Sequence, residues 1–140
     1  MSNASAGEVA ISRSIAPMLS VRQGARAVEF YRAAFGASEL YRMEDPDGAV
    51  VSRLSVAGAE FWVSDESPEH GNYSPATLNG GTVRLIMTVA HPETVIATAC
   101  AAGAREIATV EDAYGWRLGR IVDPFGHHWE IGHPLPAAPA

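Results

Sequence analysis

The feature that most constrains this chain is an order of elements that occurs twice. From residue 14 the pattern reads strand, helix, strand, strand, strand, and from residue 82 it reads the same again. In the first strand, over 14–21, Pro17, Leu19 and Val21 alternate with Ala16, Met18 and Ser20. A helix over 25–35 follows, with Ala27, Val28, Tyr31, Ala34 and Phe35 at helical spacing and Gly36 at the C′ position. Strands over 37–44, 49–57 and 60–65 are separated by Asp45-Pro46-Asp47-Gly48 and by Gly58. The second round has a strand over 82–89, a helix opened by His91-Pro92 and closed by Gly103, and strands over 105–110, 117–122 and 127–132. This pattern matches Ala16 with Arg84, Val21 with Val89, Gly36 with Gly103, and Glu60 with Glu130. A repeat of this size predicts an α+β fold of two βαβββ modules that bury surface against each other. Each is expected to be a curved mixed sheet with a helix on its convex face, the two enclosing a cleft.

The stretch RIVDPFGHHWEI, residues 120–131, is the most explicit local instruction. Asp123-Pro124-Phe125-Gly126 has type I turn chemistry. Beyond it Trp129 and Ile131 point to one side, His128 and Glu130 to the other. A carboxylate fixed mid-strand on a polar face needs a ligand or a cation.

The domain is expected over 13–134, with repeat one at 14–66, a connecting loop at 66–81 and repeat two at 82–134. The ends, 1–12 and 135–140, are read as a flexible tail and an irregular, proline-containing tail. The loop ESPEHGNYSPATLNGG has no periodicity, and a connection of that length suits a binding loop or a subunit contact. No apolar run is long enough for a membrane helix. The lone Cys100 fits a reducing, cytoplasmic setting. A net charge of −6 without a basic cluster speaks against nucleic acid and anionic membrane as partners.

The segments APMLSV, AVEFYRAAFGA, SDESPEHGNYSP and RIVDPFGHHWEI resemble the vicinal oxygen chelate superfamily, which includes glyoxalase I, bleomycin-resistance proteins and extradiol dioxygenases. Within it the chain resembles the PhnB-like branch. The resemblance implies a homodimer and a site at four positions, one on the first and one on the last strand of each repeat. Here those positions hold Ala16, Glu60, Arg84 and Glu130. Alanine cannot ligate and a guanidinium has no lone pair to give. The expectation is therefore an ion-paired centre, with Arg84 neutralising Glu60 and Glu130, and no metal or other cofactor. A divalent metal held by Glu60, His128 and Glu130 is the alternative.

By strand parity, Trp62, Met18 and Ile86 line the cleft, and Trp116 stands at its mouth. With Arg84 and His128 they are the candidate ligand-binding residues. Ser20, Ser64 and Thr88 have no base histidine evidently paired with them, so a nucleophilic triad is not supported. The expected function is binding or sequestering a small molecule. The alternative is a metal-dependent glyoxalase-, isomerase- or lyase-type enzyme with Glu60 or Glu130 as catalytic base.

Overall fold

The structure is a computed structural model that describes residues 9–137. Most of the first tail and the end of the second therefore lie outside the described residues. Repeat one contains β1 (Met18–Val21), α1 (Gly24–Phe35), β2 (Ser38–Glu44), β3 (Val50–Val56) and β4 (Ala59–Asp65). After a 3-10 turn at Pro68–His70 and the short helix α2 (Pro75–Leu78) come β5 (Arg84–Thr88), α3 (Pro92–Ala101), β6 (Arg105–Ala113), β7 (Trp116–Val122) and β8 (His128–Pro134). The strands form two four-stranded sheets, ordered β1-β4-β3-β2 and β5-β8-β7-β6. In each sheet the first strand lies parallel to the last and the other pairings are antiparallel. This is the doubled βαβββ architecture that the repeat implies. The bounds shift relative to expectation: β1 starts at Met18 rather than residue 14, and β6 runs on to Ala113 rather than ending at residue 110.

Each helix buries one stripe against its sheet. In α1 the stripe is Ala27, Val28, Phe30, Tyr31 and Ala34, and Gly36 ends the helix with a left-handed φ of 67°. The α1 N-terminus has no side-chain cap of its own. Asp65, at the end of β4, supplies one by accepting from Gly24 N at 3.0 Å and from Val50 N at 2.8 Å. A Cβ on Gly24 would fall 2.5 Å from that carboxylate, so the close approach requires glycine.

The apolar faces of both sheets share one core. Leu19, Val21, Phe61 and Val63 from the first sheet join Ile121, Trp129 and Ile131 from the second, with α1 and α3 packed on each other between them. Phe61 and Trp129 meet edge to face at 5.6 Å, and Tyr31 lies 5.7 Å from Trp129. Because side chains alternate along a strand, the opposite face of each sheet looks away from this core.

At the centre, the Asp123 carboxylate is 3% exposed and fully engaged. It accepts from Tyr31 Oη at 2.5 Å and Trp129 Nε1 at 2.9 Å, and from the backbone N–H of Phe125 and of His127. The turn residue of repeat two thus also binds the helix of repeat one, and every acceptor direction of a buried charge is used. Burial, and then the Asp123 charge, push the Tyr31 hydroxyl well above its ordinary pKa, so it stays a donor.

The long connection is ordered by its own polar contacts. Glu66 accepts from Ser74 N at 2.8 Å and Thr77 Oγ1 at 2.9 Å, and Ser74 caps α2 through Thr77 N. Residues of this loop line one of the recesses described below.

Candidate functional site

The open face of the first sheet carries a row of large side chains. Strand register sets Met18 beside Trp62, Trp62 beside Arg53, and Arg53 beside Tyr41. The next row holds Ser20, Ser64, Val51 and Met43. Tyr41 and Trp62 approach edge to face at 6.1 Å, and the Arg53 guanidinium lies 5.5 Å from the Trp62 ring. Glu60 sits diagonally across from Arg53, with 3.7 Å between Oε1 and Nε. Neither α1 nor α3 covers this face, α2 stands at its β1 edge, and Met18 and Met43 keep about half their surface in solvent, at 53% and 50%.

The open face of the second sheet is more polar. Arg84, His128 and Val122 lie in one row, and Ile86, Glu130 and Arg120 in the next. Arg84 pairs with Glu130 at 3.1 Å. Arg120 Nε donates to His128 Nδ1 at 3.2 Å. Burial, then the adjacent Arg120, hold the His128 pKa below its ordinary value. Ile86 is 67% exposed. Trp116 begins β7 beside Ala113 and Pro134, partly buried. Between the repeats runs a groove of about 430 Å³, lined by Pro17, Glu60 and Phe61 from one side and by Leu85, Ile86 and Trp129 from the other.

The three charges expected to form one centre form two. Arg84 reaches Glu130, whereas Glu60 is left to Arg53. Register explains the difference. Met18 pairs with Trp62, while its counterpart Ile86 pairs with Glu130, so Trp62 takes the place equivalent to Glu130. Glu60 falls one step along the face, at the place of His128. The expected match of Glu60 with Glu130 is corrected accordingly. Arg53 and Arg120 were missed by sequence reasoning, although both have open-face parity in their strands.

The donors do not fit the metal that this fold often carries. Ala16 offers no ligand, and the Arg84 guanidinium lies against Glu130. Among the described residues, no three His, Cys, Asp or Glu side chains converge as a coordination set.

Two curved mixed sheets, each backed by a helix and presenting an uncovered polar and aromatic face, define a protein of the glyoxalase fold. A family model for the glyoxalase-like domain matches residues 17–132, and the chain belongs to that family. It is similar to the uncharacterized proteins Mb0911c of Mycobacterium bovis and Rv0887c of Mycobacterium tuberculosis. Each is 34% identical over 130 residues, or 89% of this chain and 86% and 76% of theirs. Among solved structures, the AT5G48480 gene product of Arabidopsis thaliana is 30% identical, with a TM-score of 0.69 over 88% of this chain and 100% of that one. The fosfomycin resistance protein FosX of Listeria monocytogenes has a TM-score of 0.65 at 14% identity, covering 89% and 95%, a likeness of fold alone. No helix among the described residues is long and apolar enough to cross a membrane.

Proposed function

We propose that this chain is a small-molecule-binding protein of the bleomycin-resistance type, which recognises or sequesters a ligand without a metal of its own. The observation that carries this reading is the row Met18, Trp62, Arg53 and Tyr41 on a sheet face that neither long helix covers. A flat aromatic flanked by thioether and guanidinium suits a planar, weakly polar ligand. Glu60 at the rim favours a cationic substituent. The homodimer belongs to the same proposal. Ile86 and Met18 leave large apolar surfaces in solvent on opposite repeats, and a second copy laying its second sheet on the first would cover both. Assignment to the PhnB-like branch rests on the APMLSV and AVEFYRAAFGA segments, and a cytoplasmic setting on the lone Cys100.

The test is a thermal-shift screen of antibiotics, thiol adducts and metals, followed by titration of any hit. A planar organic hit that Trp62→Ala weakens about tenfold or more supports the reading. Stabilisation by a metal alone, or binding indifferent to Trp62→Ala, overturns it. One observation favours a second reading, an isomerase- or lyase-type enzyme. The Arg84–Glu130 pair sets a carboxylate base beside a cation able to stabilise an enolate. Catalysed exchange of a substrate carbon-bound proton with solvent would select it.

A further inference from the structure

Where the chain leaves the long loop to enter β5, a recess of about 500 Å³ opens on the second sheet, lined by Arg84, Arg120, His127, His128 and the Gly80-Gly81 backbone. The chain carries a net charge of −6, yet two guanidinium groups share this recess. Among the described residues the only ion pair either makes is Arg84 with Glu130, at 3.1 Å. Arg120 is partly buried mid-strand, and no carboxylate of the described residues lies within ion-pair distance of it. Its one hydrogen bond among them uses Nε, leaving both terminal nitrogens uncommitted. Glu130, its cross-strand neighbour on this face, is paired with Arg84 instead, so an anion in the recess would supply the partner that the terminal nitrogens of Arg120 lack. His128 accepts at Nδ1 and so carries its proton on Nε2, a neutral donor on the same face.

We propose that this recess is an oxyanion site for the phosphate, phosphonate or carboxylate group of a ligand. Arg120 and Arg84 supply the positive charge, the planar fork of Arg120 takes two oxygens, and His128 donates from the side. The site stands on the second sheet, goes beyond the aromatic row of the first, and needs no second copy.

Calorimetric titration of the full chain tests it, with inorganic phosphate in one arm and acetate in another, chloride holding ionic strength constant. Saturable one-to-one binding is expected, weakened about tenfold or more by Arg120→Gln. It should be unchanged by Arg26→Gln, a residue at the start of α1 whose guanidinium donates to Gln23. Binding of both anions supports a site for any oxyanion, and binding of phosphate alone supports one for tetrahedral groups. Absence of saturable binding in both arms overturns the proposal, as does wild-type affinity in a folded Arg120→Gln. Should that variant fail to fold, Arg120→Lys retains the charge and loses the fork. Weaker binding by it supports the assignment, and wild-type affinity overturns it.

Discussion

Asp123 shows how one side chain can serve two jobs. Its place before Pro124 marks a turn, and that much is written in the sequence. Its two side-chain partners, the Tyr31 hydroxyl and the Trp129 indole, come from the other repeat and from the strand beyond the turn. Asp123→Asn keeps the size but sets an N–H₂ against donors. It should lower unfolding free energy by about 2–4 kcal/mol, read from the urea midpoint at unchanged slope. Tyr31→Phe, which leaves the carboxylate its three other donors, should cost less. His128 gives a pH prediction with a definite sign. Its folded pKa lies below the ordinary 6.5, so the folded state resists protonation. Its contribution to stability is complete above pH 6.5 and is lost as pH falls through the folded value. An imidazole NMR titration should give a midpoint under 6.5, and a steep loss of stability below that pH should be shallower in His128→Gln. A midpoint at or above 6.5 would contradict the packing described.

At the level of strands and helices, the alternation and turn residues were sufficient to read eight strands, two main helices and their order. What they left open was register. Glu60 and Glu130 were matched by strand order and pattern, yet hydrogen bonding pairs Met18 with Trp62 and Ile86 with Glu130. Parity says which face a residue takes, but not which neighbour it meets, because a step of two keeps the face and changes the partner. Arg53 and Arg120 were overlooked for the same reason, since their importance depends on strands that lie beside them only in the folded chain. The pairing of β8 with β7 shows how tightly register is held. A Cβ on Gly132 would fall 1.8 Å from the Arg117 carbonyl oxygen, and nothing flexible lies there to yield. Gly132→Ala should cost about 3 kcal/mol or more. By contrast Gly81→Ala meets open space and should be near neutral. Paired chemical denaturation curves would check both.

For the whole molecule, the two outward faces lead to the dimer prediction. Sedimentation velocity over about a hundredfold range of concentration should show reversible self-association. Ile86→Asp should shift it to monomer while leaving circular dichroism intact, because Ile86 contributes to no shared core. A chain that stays monomeric throughout would leave the ligand on an uncovered face and remove the second copy from the functional reading. The composition argument, acidic and without a basic cluster, gave no hint of the Arg84–Arg120 recess, because a sum over the chain hides a local surplus.

The bond from Tyr31 to Asp123 has a consequence for the chain as a unit of inheritance. Each repeat is a complete βαβββ motif, but this bond ties the interior of one to the turn of the other. Cut between them, the first would strand a phenol in its interior and the second a carboxylate. Expressed as two pieces, the halves should be insoluble apart and should recover a native spectrum only when mixed.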